Sequence, residues 1–144
     1  MENQNYQNHT RMHPLFHYVL SLFVLGTLVT ALVYFVRSLS NGENVLLACV
    51  VLLAAGSLVI LFLLVRSYPL KAQDRAIRAE ENLRHFVLTG KLMDSRLTTG
   101  QIVALRFASD QELPALSQRA AEESLRSKEI KQAINEWRGD YYRV

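Results

Sequence analysis

Hydrophobic residues are concentrated in two long runs in the first half of the chain. Leu15–Val36 holds about 22 residues with no formal charge when His17 is neutral, and Val45–Val65 holds about 21 whose only ionisable side chain is Cys49. At a rise of 1.5 Å per residue, each run forms a helix about 30 Å long, which matches the hydrocarbon core of a bilayer. Consecutive helices that are apolar all round are typical of membrane spans, so the pattern predicts transmembrane helices at 15–36 and 45–65.

A short polar segment separates the two runs. Residues 37–44 contain the Asn41-Gly42 pair, which favours a tight reversal, so we expect a loop there. A cleavable signal peptide is the main alternative for the first run. That run is longer than the 7–15 residues of a signal core, and no small-x-small cleavage site follows promptly, so we interpret it as a retained anchor.

The charges lie almost entirely after the second run. The chain has 16 Lys and Arg and 13 Asp and Glu, and only Arg11, Arg37, Glu2 and Glu43 precede Arg66. Basic residues beside a span favour the cytoplasmic side. The distribution therefore predicts a cytoplasmic N-terminal segment at 1–14, an external loop at 37–44, and a cytoplasmic helical domain at 66–144.

Small residues lie near the middle of both predicted spans and would fall at similar depth in a hairpin. Small side chains let two helices approach closely, so we expect packing between the spans, with a contact to another subunit as the alternative. Neither span contains Asp, Glu, Lys or Arg, which ion and proton pathways usually require. The expected packing residues are Gly26, Thr27, Thr30, Ala54, Ala55, Gly56 and Ser57.

The tail begins with a predicted helix over 66–89, in which Pro69 is expected to cause a kink or a break. Apolar residues at spacings of four and three form a narrow seam that is typical of a helix-pairing surface. Packing against the tail's own core and pairing with a second copy are both consistent with it. The seam comprises Ala72, Ala76, Ala79, Leu83 and Phe86.

Basic residues are frequent at the start of this helix. Between residues 66 and 78, Asp74 is the only acid. Such clusters attract anionic lipid headgroups by about 1 kcal/mol per base near the surface, although they also serve simply to set topology. The candidate headgroup contacts are Arg66, Lys71, Arg75 and Arg78.

Helix-start signals recur in the rest of the tail. Thr98 with Gln101 and Ser109 with Glu112 have capping-box spacing, and Ser127 is the expected N-cap of a last helix. A shared core is expected from Leu97, Ile102, Leu105, Phe107, Leu113, Leu116, Leu125, Ile130, Ala133, Ile134 and Trp137. The predicted fold class is therefore all-α: a two-helix transmembrane hairpin followed by a cytoplasmic bundle of about four helices.

Three histidines spaced by four residues are the one pattern that suggests chemistry. His9, His13 and His17 on a single helix would present neutral imidazoles to a metal or haem. Pro14 disfavours helical geometry at His13, so interfacial histidines are the simpler interpretation. The sequence has no glycine-rich phosphate loop, His-Glu-x-x-His motif or nucleophile elbow. We therefore expect no enzyme activity, no cofactor and no small-molecule substrate.

A nucleic-acid binder is a further alternative, because three short helices invite comparison with helix-turn-helix proteins. The nearly balanced charge of the tail argues against it. Cys49 is the single cysteine, which excludes an internal disulfide or a cysteine-based metal site.

Several ordered motifs together resemble an uncharacterised family of small bacterial two-span membrane proteins. They are Gln4-Asn-Tyr-Gln-Asn-His-Thr-Arg-Met-His-Pro14, Lys71-Ala-Gln-Asp-Arg75, Leu105-Arg-Phe-Ala-Ser-Asp110 with Glu112-Leu-Pro114, and Lys128-Glu-Ile-Lys131 with Trp137-Arg138. The resemblance implies a bacterial inner-membrane setting with both termini cytoplasmic. It implies no assigned activity, so no catalytic residues carry over.

The expected function is that of a non-enzymatic integral membrane protein whose helical tail is an interaction or assembly module. Its partners would be the lipid bilayer and either further copies of itself or another membrane protein, and no nucleic acid. A metal- or haem-binding membrane protein that uses the N-terminal histidines is the first alternative, and a membrane-tethered nucleic-acid binder is the second.

Overall fold

The computed structural model describes residues 4–8 and 12–141, and within them the fold is all-α, as predicted. A π-helical segment, Leu15–Leu20, leads into α1 (Ser21–Asn41). The helices that follow are α2 (Val45–Thr89), α3 (Thr99–Leu105), α4 (Leu113–Glu122) and α5 (Ser127–Ala133). The chain forms two compact units. The first is Arg11–Tyr68, and the second is Pro69–Val144 joined by residues near the N-terminus.

The turn between α1 and α2 is shorter than the sequence suggests. Helix α1 continues to Asn41, and Gly42 ends it in the left-handed conformation with φ of +71°. Only residues 42–44 separate the two helices, so most of the expected loop at 37–44 is helical. Nothing between Arg37 and Asn41 breaks a helix, whereas Gly42 adopts a positive φ without a Cβ clash.

Small residues pack at the centre of the first unit. Ala31 and Ser38 on α1, and Ala48 and Ala55 on α2, are the buried residues among those that the structure describes in this unit. Each pair is separated by seven positions, which is the repeat of helices that pack along a common seam. The half-buried positions Val24, Leu28, Phe35, Val45, Leu52, Val59 and Phe62 follow the same alternation of three and four.

Helix α2 runs through Pro69 without interruption and ends at Thr89, as expected for its C-terminal end. The expected break at Pro69 is therefore absent. A proline lacks the N–H that would bond the carbonyl four residues earlier, but the remaining hydrogen bonds keep the backbone helical. Gly90 ends the helix with φ of +73°, and its N–H donates to the Phe86 carbonyl over 2.7 Å.

The second unit contains the predicted core. Phe107, Leu105, Leu113 and Ile130 are its largest fully buried side chains. Leu97, Ile102, Leu116 and Ile134 are also buried, and Leu125, Ala133 and Trp137 pack against the cluster. Every core residue expected from the sequence therefore belongs to one core. The predicted last helix is shorter than expected, because α5 ends at Ala133, and Ile134 and Trp137 reach the core from extended backbone.

The first capping box is confirmed. The Thr98 hydroxyl accepts from the Gln101 N–H at 3.3 Å, and Gln101 Oε1 accepts from the Thr98 N–H at 2.7 Å. The same Gln101 donates through Nε2 to the Leu125 carbonyl at 2.8 Å, so this cap also ties α3 to the segment before α5.

The other two caps differ from expectation. The Ser109 hydroxyl accepts from the Glu112 N–H at 3.3 Å, but the Glu112 carboxylate binds Asn135 and the Glu136 N–H instead of returning to Ser109. Ser127 is not the N-cap of α5. Arg126 holds that position because Glu129 accepts its N–H at 2.7 Å, and the Ser127 hydroxyl donates to the carbonyl of Gly100.

Candidate interaction surface

The C-terminal half of α2 has a polar face turned inward and an apolar face turned outward. Glu81 and His85 are buried, whereas Leu83 is 63%, Phe86 49% and Val87 74% exposed. An ordinary surface helix shows the opposite arrangement, with its apolar stripe against the core. The inversion requires a specific set of polar contacts inside and leaves an apolar face uncovered outside.

Arg84 supplies most of the inner contacts. Its Nη1 donates to Glu81 at 3.0 Å, its Nε to Asp110 at 2.6 Å, and its Nη2 to the carbonyl of Ala108 at 2.8 Å. Charge-assisted hydrogen bonds of this kind compensate for removing a guanidinium from water. They fix α2 to the turn between α3 and α4, with the opposite face of α2 left outside.

The segment of Trp137 and Arg138 pairs with the residues beside the Arg84 contacts. Ala108 and Trp137 form an isolated antiparallel bridge, in which the Arg138 N–H donates to the carbonyl of Phe107 at 2.7 Å. The rings of Phe107 and Trp137 lie 5.0 Å apart. Gln4 reaches this segment too, since Nε2 donates to the Asp140 carbonyl at 3.1 Å and Oε1 accepts from the Asp140 N–H at 2.8 Å.

His85 is a second buried polar group on the inner face of α2. Its Nδ1 lies 2.8 Å from the carbonyl of Lys91, and the Thr89 hydroxyl lies 3.2 Å from the same nitrogen. A carbonyl only accepts, so this geometry assigns the ring hydrogen to Nδ1. The contact fixes the chain reversal that follows α2.

The predicted seam lies entirely on the outer face. Each member of the seam is exposed, and none of them belongs to the core of the second unit. Packing of the seam on the tail's own core is therefore ruled out, and its pairing with another chain stays a prediction. The residues concerned are Ala72, Ala76, Ala79, Leu83 and Phe86.

The predicted headgroup residues differ in their surroundings. Lys71, Arg75 and Arg78 are exposed, and within residues 4–8 and 12–141 their side chains form no ion pair. Arg66 is half-buried, and its guanidinium carbon lies 5.9 Å from the centroid of Phe16. Phe16 in turn stacks on Phe62 with centroids 4.7 Å apart, so Arg66 adjoins an aromatic pair of the hairpin.

The expected small-residue contact within the hairpin involves different residues on α1. Ala55 is buried and Gly56 is half-buried, but Gly26, Thr27, Thr30, Ala54 and Ser57 are exposed. The hydroxyls of Thr27, Thr30 and Ser57 donate to carbonyls of their own helices. The buried face of each helix instead follows the seven-residue repeat of Ala31 and Ser38 on α1 and of Ala48 and Ala55 on α2.

Two comparisons with known proteins found nothing, and one found a family. A family model matches residues 1–144. The chain belongs to DUF6526, a family of unknown function. No curated protein and no solved structure matches it. Membership in DUF6526 agrees with the resemblance to an uncharacterised family, and it assigns no role to any residue.

This DUF6526 chain carries two helices that are long and apolar enough to cross a membrane, as expected from the resemblance to two-span proteins. They are Leu15–Asn41 and Val45–Thr89, with mean hydropathies of 2.4 and 3.0 over their most apolar 18 residues. Only 6% and 11% of those stretches are buried. The core helix of a water-soluble protein would be mostly buried, so the exposure of these stretches sets them apart from that class.

The histidines do not form a metal centre in the part of this DUF6526 chain that the structure describes. His9 lies outside the described residues. His17 Nδ1 lies 3.0 Å from the backbone carbonyl of His13, so that nitrogen is occupied by a backbone contact. Within residues 4–8 and 12–141, no three His, Cys, Asp or Glu side chains are grouped closely enough to hold a metal ion.

Sequence reasoning missed the polar face of α2. The burial of Glu81, Arg84 and His85 was not predicted because charged and polar side chains are usually exposed. A usable signal exists, since these residues and Ile77 lie on the face opposite the seam at helical spacing. In most surface helices the apolar seam is buried and the charged residues on the opposite face are exposed. In α2 the seam is exposed and the polar residues on the opposite face are buried.

Proposed function

We propose that this protein is a membrane-anchored interaction module without catalytic activity of its own. The hairpin of α1 and the first part of α2 anchors the chain, and the seam on α2 docks another protein chain. The observation that carries the proposal is the inverted placement of α2, whose polar face is held by Arg84 while Leu83 and Phe86 remain exposed. Apolar surface rimmed by polar residues marks sites of association.

Membrane insertion is supported by the outward leucines of the hairpin. Leu22 is 66%, Leu46 81% and Leu53 72% exposed. Burying one such side chain is favourable by about 1.5–3 kcal/mol relative to water, so a hairpin that exposes many of them is stable only in an apolar medium. Lipid supplies that medium without any further protein contact.

The proposed location is the bacterial inner membrane, with both termini in the cytoplasm. Two crossings return the chain to its starting side, and the contact between Gln4 and Asp140 supports the proposal that the termini share one compartment. The bases that follow the second span favour the cytoplasm as that compartment. Lys71, Arg75 and Arg78 are exposed, and we propose that they also attract anionic headgroups.

The proposal is tested with the full chain expressed in bacterial membranes. Resistance to carbonate extraction is expected for an integral hairpin, and release into the supernatant would overturn membrane anchoring. A Leu83→Asn/Phe86→Asn variant should lose the protein complex that mild detergent preserves. Leu92→Asn is the matched control, because Leu92 is 67% exposed but lies beyond the end of α2. An identical monomeric profile for wild type and all variants would contradict docking through the seam.

A further inference from the structure

We infer that the chain docked on the seam is a second copy of this protein, with the two α2 helices parallel and in register. The inference rests on the proposed function, because anchoring in one membrane is what fixes the relative direction of the two helices. Chains inserted with the same topology present α2 in the same direction. A symmetric pair in one bilayer is therefore parallel.

The seam has the spacing of a two-stranded coiled coil. Its successive intervals are four, three, four and three residues, which places Ala76 and Leu83 at position a and Ala72, Ala79 and Phe86 at position d of a heptad. The residues that hold α2 to its own domain occupy heptad positions b, c and f, on the inner face of α2. Ile77 and Arg84 fall at b, His85 at c and Glu81 at f, so the domain covers the back of the helix and leaves a and d free.

Charges beside the seam specify the partner. In this register Arg75 lies at position g and Glu80 at position e, five residues later. In a parallel pair, g of one helix adjoins e of the next heptad on the other helix, so Arg75 meets Glu80 of the second copy. The two-fold axis repeats the contact, which gives two interchain ion pairs. An antiparallel pair places g beside g and e beside e, and Arg75 then does not meet Glu80.

Both charged side chains are available for such a contact. Arg75 and Glu80 are exposed, and neither forms an ion pair within the part of the chain that the structure describes. They are five residues apart, so they do not face each other on one helix, where neighbours are three or four apart. Their opposite charges therefore pair between two chains, with Arg75 of one copy beside Glu80 of the other.

The length of the seam fits association in a membrane. About two heptads are too short to hold two free helices together in water. Anchoring both chains in one bilayer raises their effective concentration and removes most orientations that cannot pair. Alanine at positions 72, 76 and 79 permits a close approach of the backbones, and Leu83 and Phe86 supply the larger apolar contacts.

The test is a charge exchange between two differently tagged full-length copies in membranes. The reporter is disulfide formation by Ala79→Cys in a Cys49→Ser background. Arg75→Glu alone and Glu80→Arg alone should each reduce homodimer cross-linking about three- to ten-fold, because attraction becomes repulsion at two sites. Co-expressing the two single variants should restore cross-linking between them, since each interchain contact then pairs opposite charges. Arg75→Glu/Glu80→Arg in one chain should restore the homodimer.

Matched controls separate the pairing from other effects. Arg78→Glu makes the same charge change at position c, away from the seam, and should leave cross-linking unchanged. Ala115→Cys places the same reporter at an exposed site on α4 and should cross-link far more slowly than Ala79→Cys. Tryptophan fluorescence from Trp137 reports that each variant is folded.

The outcomes distinguish this inference from the proposed function. Absence of cross-linking in the parent, or failure of the mixed single variants to recover it, overturns self-pairing. If the Leu83→Asn/Phe86→Asn variant nevertheless loses a different co-purified protein, the docking function stands with another partner. Carbonate release of the chain removes the membrane anchor and the proposed function with it.

Discussion

Arg84 Nε lies 2.6 Å from Asp110 Oδ1 and so joins the C-terminal part of a 45-residue helix to the turn between two short ones. The Arg84 side chain is 12% exposed and that of Asp110 is 66% exposed. The cation is thus the buried partner, and it also satisfies Glu81, whose side chain is 8% exposed. Removing the cation leaves a buried carboxylate, which is the more costly of the two possible losses.

Replacing Arg84 should therefore destabilise the second unit strongly. Arg84→Met is expected to lower the free energy of unfolding by about 2–4 kcal/mol, because Glu81 loses its nearest cation. Trp137 is the single tryptophan, so its fluorescence during urea unfolding of the full chain in detergent reports this unit.

A second substitution sharpens the result. Adding Glu81→Leu to Arg84→Met should cost less than the sum of the two single changes, since the buried carboxylate that Arg84→Met leaves without its cation is then removed as well. Arg78→Met, at an exposed base without an ion pair among the described residues, should change stability by less than about 0.5 kcal/mol. Equal losses for Arg84→Met and Arg78→Met would show that the inner contacts contribute nothing.

Much of the second unit was predictable because its signals are local. Leu113 and Leu116 lie three residues apart at the start of α4, and their burial follows from that helical spacing. Thr98 and Gln101 form their capping box within four residues, so the sequence motif is enough to identify it.

Contacts between distant segments were not predictable in this way. Glu112 has capping-box spacing from Ser109, but its carboxylate binds Asn135, which is 23 residues away. A local sequence pattern cannot predict a contact over that distance. The buried residues of α1, Ala31 and Ser38, were not identified from the sequence for a related reason. The sequence shows where small residues occur, whereas the buried face of α1 depends on how it packs against α2.

The capping box offers a quantitative check on α3. Thr98→Ala removes the acceptor for the Gln101 N–H and should destabilise the second unit by about 1 kcal/mol. Thr99→Ala is the control, because the next residue supplies no cap and should change stability by less than about 0.5 kcal/mol. Urea unfolding followed by Trp137 fluorescence measures both. A larger effect at Thr99 would mean that the helix begins elsewhere.

Close packing in the hairpin gives a third prediction. Ala55 is 2% exposed where α1 and α2 pack, so Ala55→Leu forces the helices apart and should cost about 1–3 kcal/mol. Ala54→Leu adds the same atoms at an exposed neighbour and should be close to neutral. Thermal denaturation in detergent, followed by loss of soluble folded protein, compares the two. A lower midpoint for Ala54→Leu than for Ala55→Leu would place the contact on another face.

The loop before α3 contains an ion pair with a defined acid response. The Arg96 side chain, at 2.6 Å from Nη2 to Oδ2, and the Arg96 N–H together lower the pKa of Asp94 from 3.8 to about 2. A lowered pKa means that the stabilising contact is complete above pH 3.8 and is lost as the pH falls through about 2.

This response is measured from the carboxyl carbon shift of Asp94 in a pH titration by nuclear magnetic resonance. The midpoint should lie near 2 in the native chain. Arg96→Gln should raise the pKa of Asp94 toward 3.8, and the backbone N–H should keep it somewhat below that value. A native midpoint at 3.8 would show that the pair does not form in solution.

The contact between Gln4 and Asp140 also bears on how the chain is made. Gln4 is synthesised 136 positions before its partner, an interval on the order of ten seconds at typical translation rates of roughly 5–20 residues per second. Throughout that time the amide of Gln4 has no Asp140 to bind, while both apolar helices have already been made. Gln4 therefore joins the second unit only after the ribosome has delivered the segment around Asp140 that receives it.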